Sequence, residues 1–238
     1  MTYVAGFVVA VPEDRRQAYV DMANAGISLF REYGARRQVE AWDDDVQEGK
    51  LTDFRRAVKA TPVEKIIFSW HEYASKAVAD EANEKIMSDP RMAEIGKDMP
   101  FDGQRMIYGG FQAILEKGNR GRSSYIDGSL VPTPEESKAA YLSYAEKVAD
   151  ILMEHGATRV VDAWSDNVPD GKVTDFRRSV NAAAGEAVVF SWVEWPAKQT
   201  RDAAWEKIMK DPRMFEGTPP QDESRRVSGG FLPVMDAQ

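Results

Sequence analysis

The stretch TDFRR is written twice, at residues 52–56 and 174–178, and the second copy begins 122 residues after the first. The same offset holds upstream, where it aligns Tyr3 with Tyr125, Gly6 with Gly128, Pro12 with Pro134, Gly34 with Gly156 and Trp42 with Trp164. Downstream it carries Phe68-Ser69-Trp70 onto Phe190-Ser191-Trp192 and EKIMSDPRM onto EKIMKDPRM. Beyond Met92 and Met214 the second copy is two residues shorter, so that Gly109-Gly110-Phe111 answers to Gly229-Gly230-Phe231. A period this long marks a duplicated domain, not a solenoid. Whatever one copy folds into, the chain makes twice. The units read as residues 1–117 and 123–238, joined by a linker at 118–122 within a polar, Gly-containing stretch.

One unit reads as strand, helix, strand, strand, helix, strand. YVAGFVVAV is a β-rich run closed by Pro12. Tyr19, Met22, Ala23, Ile27 and Phe30 then fall on one helical face. In the second copy Thr133-Pro134-Glu135-Glu136 predicts the cap of the matching helix. Gly34 and Gly156 predict left-handed helix ends. ARRQVEAWDD and KIIFSWHEY are the next strands, separated by a turn and by the TDFRR stretch, which reads as a loop. A second helix runs to Asp89-Pro90, and QRMIYGGFQAIL is the fourth strand. The βαββαβ order predicts an α+β fold of two ferredoxin-like repeats, each an antiparallel sheet with helices on one face. The strands are apolar in both parities, so the uncovered sheet face needs a partner. The second copy supplies it: an intrachain pseudo-dimer with sheet packed on sheet.

Composition narrows the function. The formal net charge is −8, with no Lys/Arg-rich run, so nucleic acid is not an expected partner. Cysteine is absent, which excludes disulfides, thiolate nucleophiles and Cys-ligated metals. The short apolar run before Pro12 reads as a strand, not a signal peptide or membrane span, and cytoplasm is the expected location.

GFVVAVP, EYGA, GKLTDFRRAVKA, FSW, NEKIMSDPRM and DMPFDGQRMIYGGF together resemble the uncharacterised YbaA-like family, a domain of unknown function, across nearly all of residues 1–115 and most of 123–235. The resemblance implies the dimeric α+β-barrel superfamily, whose members include small monooxygenases, haem-handling enzymes, isomerases and ligand-binding regulatory domains. Fold does not choose among these, and the family supplies no catalytic residue. In the second copy DMPFDGQRMIYGGF has become PPQDESRRVSGGF: Arg105 persists as Arg225, while Phe101, Gly103 and Tyr108 become Gln221, Glu223 and Ser228.

The polar residues with chemical potential each have a structural reading beside the functional one. His71, in the third strand, is either a satisfied strand histidine or a general base. His155 ends a helix, where a cation suits the dipole. Arg55, Arg56 and their counterparts Arg177 and Arg178 suit either an anionic ligand or an internal clamp to Asp44, Glu72 or Glu40. Glu72 and Glu194, in an apolar strand, call for a partner, with Arg105 and Arg225 as candidates. No P-loop, dinucleotide fingerprint or nucleophile elbow is present, and no cofactor or metal is expected.

Three functions are compatible with these residues. One is a protein binding a small organic or anionic ligand. Another is a small cofactor-independent enzyme, oxygenase- or isomerase-like. The third is a structural or interaction module, and further homodimerisation of the intact chain stays open. A working pocket is expected in the first copy at His71, Arg105 and Tyr108, with Arg56 as a further ligand-binding candidate, because the second copy loses His71 and Tyr108.

Overall fold

The computed structural model describes residues 2–238. Four strands of the first repeat, β1 (Tyr3–Pro12), β2 (Arg37–Asp45), β3 (Glu64–Tyr73) and β4 (Ile107–Gly118), are matched by β5 (Tyr125–Pro134), β6 (Arg159–Asn167), β7 (Glu186–Trp195) and β8 (Val227–Ala237). All pairs are antiparallel, and each repeat has the ferredoxin-like order 4-1-3-2. The two sheets also join at their edges: β2 pairs with β8 and β4 with β6, each seam carrying register shifts. The result is one closed eight-stranded barrel. Closure leaves no free sheet edge, which is the physical return on duplication.

The long helices α1 (Arg16–Glu32) and α5 (Lys138–Glu154), with α3 (Lys76–Ser88) and α7 (Lys198–Ile208), cover the outside. Gly34 and Gly156 adopt φ of 101° and 103° just past α1 and α5, as their sequence positions predict. The predicted cap at Thr133 is not formed. β5 runs on through Pro134, a single 3₁₀ turn intervenes, and the Thr133 hydroxyl is buried without a partner. Pro90 ends α3 as expected but also opens a short helix, α4 (Pro90–Ile95), capped by Asp89. Among the described residues no helix is long and apolar enough to cross a membrane.

The barrel interior is full. Phe68 stacks on Phe190 at 4.5 Å between ring centroids, and Trp70 lies 4.5 Å from Trp192. Gly6 and Gly128 are needed for this: a Cβ on Gly6 would come within 2.8 Å of the Phe190 ring, and one on Gly128 within 3.0 Å of Phe68. The space along the barrel axis is therefore taken by aromatic rings.

The TDFRR stretch plugs one end. It is not a loop but the start of a helical turn, α2 (Phe54–Ala57), repeated as α6 (Phe176–Ser179). Asp53 caps the turn, accepting from the Arg56 amide at 2.8 Å, and Phe54 and Phe176 are wholly buried. The Thr52 hydroxyl donates to the Ser179 carbonyl at 2.6 Å, and Thr174 to that of Ala57 at 2.5 Å, so each copy ties down the other. Arg55 donates to the carbonyls of Thr61 and Glu64, and Arg56 to that of Gly49. The arginines are clamps, but on backbone carbonyls rather than on Asp44, Glu72 or Glu40.

Candidate functional site

The opposite end of the barrel holds a buried ionic lattice. Strand parity that turns Phe68 and Trp70 inward also turns Glu72 inward, and likewise Glu194. Their partners are Arg37 and Arg159, from the inward face of β2 and β6, and the exchange crosses between repeats. Arg37 grips Glu194 with two bonds of 2.7 and 3.0 Å, and Arg159 grips Glu72 with two of 2.7 and 2.9 Å. Asp236 accepts two further bonds from Arg37 and Glu116 one from Arg159, whose buried Nε stays without a partner among the described residues, while the indoles of Trp70 and Trp192 donate to Glu72 and Glu194. Burial pushes the Glu72 carboxyl up, but the Arg159 guanidinium outweighs it and holds the net pKa below the ordinary value. The expected partnership of Glu72 and Glu194 with Arg105 and Arg225 does not occur. Those arginines sit outside the barrel, where Arg105 makes bonds of 2.7 and 2.9 Å to Glu64, and Arg225 of 2.7 and 2.8 Å to Glu186. Nothing local in the sequence marks Arg37 and Arg159 as these partners.

The four residues singled out in the sequence do not converge. His71 points outward from β3 beneath α1, with its ring 4.4 Å from Phe30 and 5.3 Å from Phe7, and its Nε2 lies 3.9 Å from Glu40. Arg105 is committed to Glu64 and Asp102. Tyr108 is 52% exposed on β4. Arg56 lines a shallow surface depression with Glu48, Asp53 and Lys59.

A cavity of about 610 Å³ lies instead in the second repeat, between the outer face of the sheet and the helices α5 and α7. Aligned positions explain why it opens there. Phe7 and Phe30 of the first repeat are replaced by Ser129 and Leu152, which removes two rings from the layer under the helix. Glu40 is replaced by Asp162, one methylene shorter. In the first repeat the Tyr19 hydroxyl donates to Glu40 at 2.6 Å; in the second the Tyr141 and Ser191 hydroxyls lie near enough to Asp162 to favour its charged form, but neither closes a bond of that geometry. Asp162 is only 8% exposed, and among the described residues no arginine, lysine or histidine forms an ion pair with it. Burial pushes its carboxyl pKa up, against the smaller opposing effects of Ser191, Arg226 and Tyr141. The Ser191 hydroxyl is buried with no hydrogen-bond partner. Burial likewise raises the Tyr141 hydroxyl well above the phenolic range, with the Asp162 charge adding to it.

The geometry of two interlocked copies has a counterpart in known proteins. The sequence model of a family described as "Protein of unknown function (DUF1428)" matches residues 2–103 and again residues 124–223. The chain belongs to the DUF1428 family. The "Uncharacterized protein YbaA" of Escherichia coli K12, also a single-repeat relative in length, is 60% identical over 117 residues, which are 49% of this chain and 100% of that protein. In fold the DUF1428 pair is similar to a "putative monooxygenase" from Lactobacillus acidophilus, with a TM-score of 0.60 at 9% identity over 100% of this chain and 96% of that one. It is also similar to an "anthrone oxidase-like protein", with a TM-score of 0.53 at 12% identity over 99% and 92% of the two chains. At these identities the likeness is one of fold. The cavity difference between the two DUF1428 repeats was readable in principle: side-chain volume falls at outward positions of several aligned elements at once.

Proposed function

We propose that this chain is a small-molecule-binding barrel and that its site is the cavity of the second repeat. The observation that carries the reading is the buried, unpaired Asp162 carboxylate beside the unpartnered Ser191 hydroxyl in a space of about 610 Å³. A buried charge without a partner costs folding stability, and such groups gather where a ligand uses them. The wall is mixed as a ligand site requires, with Tyr144, Val148, Leu152 and Trp205 giving apolar area and Asp162, Ser191 and Arg226 giving orientation. The test is a ligand-observed NMR screen of organic fragments, repeated on Ser129→Phe/Leu152→Phe, which restores the first-repeat rings. Hits should vanish in that variant while cooperative melting persists. Hits that survive it, or that map to His71, Arg105 and Tyr108 instead, would overturn the placement.

A second reading, proton transfer on the bound molecule, is favoured by one feature of the same site. Asp162 is a carboxyl raised by burial and held in no direct ion pair among the described residues, with Arg226 near enough only to oppose the shift in part, which suits a general base. Among the fold neighbours are proteins described as oxygenases, which makes the reading compatible with the fold. Deuterium incorporation into a bound carbon acid, lost in Asp162→Asn, is its test.

A further inference from the structure

The cavity's polar atoms fall into two classes, those already engaged and those left over. Both arginines of the wall are engaged. Arg226 donates to Glu223 from Nε and Nη2, at 2.5 and 2.8 Å, and to the Ser129 hydroxyl at 3.0 Å. Arg201 donates to Asp127 at 2.8 Å, to Asp45 at 3.2 Å and to Asp202 at 3.1 Å. An incoming anion would have to break these pairs. Among the described residues the leftover groups are the Asp162 carboxylate, in no ion pair, and the buried, unpartnered Ser191 hydroxyl. The Asp162 carboxylate accepts hydrogen bonds, and Ser191 either accepts or donates.

Charge points the same way. The lining holds four carboxylates, Asp45, Asp127, Asp162 and Glu223, against two guanidiniums, in a chain of formal net charge −8. A low-dielectric cleft with an excess of one sign concentrates the opposite ion. Tyr141 and Tyr144 also line the cavity, and aromatic rings favour a cation over an anion at their faces.

We propose that the ligand is an organic cation: an ammonium group seated on Asp162 and Ser191, carried by an apolar or aromatic body packed against Val148 and Leu152. The inference rests on the cavity of the second repeat being the ligand site, and of the two ligand classes expected, organic or anionic, it takes the organic one with a positive charge.

The test uses three probes with one body, phenethylamine, phenethyl alcohol and phenylacetate, titrated into the full chain at pH 7.5 by NMR. The amine should bind, the alcohol more weakly, and the carboxylate not measurably. In Asp162→Asn the amine should lose about tenfold to a hundredfold in affinity, the worth of one charge-assisted hydrogen bond, while the alcohol changes little. Asp162→Glu keeps the charge but restores the reach that Glu40 has to its tyrosine, and should weaken the amine as well. Alcohol or carboxylate binding as tightly as amine, or amine affinity unchanged in Asp162→Asn, would overturn the cationic class and leave the cavity reading standing. No saturable binding of any probe at millimolar concentration, or amine binding undiminished in Leu152→Phe, would overturn both.

Discussion

At neutral pH Asp162 is a liability that its own fold creates. Its folded pKa is raised by burial, so the folded state holds the proton more tightly than the unfolded chain. Stability therefore falls as pH rises from the ordinary aspartate value of 3.8 through the raised folded one. Asp162→Asn should melt higher than the parent chain at pH 7, by about 2–4 °C if about 1 kcal/mol is relieved in a chain of this size, with the gap closing on acidification. A lower melting temperature at pH 7 would show the carboxylate to be paired. Glu64 has the opposite sign. Arg105 holds its pKa down from 4.5 to about 2. Its contribution is complete above pH 4.5 and is lost as pH falls toward about 2. Glu64→Gln should accordingly lower the melting temperature at pH 7, with the difference shrinking across that acid window in a pH series of thermal melts.

Among the elements, the four-residue turns α2 and α6 do more than their size suggests. They cap one end of the barrel and cross-bond the repeats through Thr52 and Thr174. Asp53→Ala should cost about 1 kcal/mol through loss of the N-cap. Arg56→Ala should cost less, under about 1 kcal/mol, because that side chain is 52% exposed and screened by water. Urea denaturation of the two variants checks the order, and an equal or larger loss at Arg56 would reverse the assignment of cap and clamp. These turns also mark where sequence reading lost resolution. Helical periodicity needs two or three turns to register, so α1 and α5 were legible, and their Gly34 and Gly156 ends with them, while a single turn after Thr-Asp read as loop. Strand parity is enough to put Phe68 and Trp70 on the face away from Ile67 and Ser69. It could not supply the partners of Glu72 and Glu194, because Arg37 reaches Glu194 across 157 residues of chain and no spacing rule spans that. Comparison of the copies points to His71 and Tyr108, which only the first copy carries. The cavity follows from what the second copy gave up, the rings at Ser129 and Leu152 and one methylene at Asp162.

The whole molecule is held by reciprocity. Arg37 with Glu194, and Arg159 with Glu72, are each half from one repeat and half from the other, as are Tyr3 with Asp166 and Tyr125 with Asp44. Removing one member strands a buried charge, so Glu194→Gln or Arg37→Met should each cost about 3–5 kcal/mol in urea unfolding, far more than any surface pair. The same reciprocity forbids a lone repeat. Residues 2–118 by themselves would expose the outer edges of β2 and β4 and leave Arg37 and Glu72 without their cross-repeat mates. They should form a dimer in which Arg37 of each copy meets Glu72 of the other. Light scattering on that fragment decides, and a stable, strictly monomeric fold would refute it.

Closure through β2 and β8 also sets a timetable for a chain made from its N-terminus. β2 leaves the ribosome early, yet its second neighbour is the last strand of all, Val227–Ala237. Synthesis from Asp45 to Ala237 takes about 10–40 s at ordinary translation rates, and through that interval the outer edge of β2 is a template for any other nascent copy. Asp43, Asp44 and Asp45 stand at the end of that edge. Two such edges meeting in parallel would set three carboxylates against three, and that like-charge contact disfavours that pairing until β8 arrives.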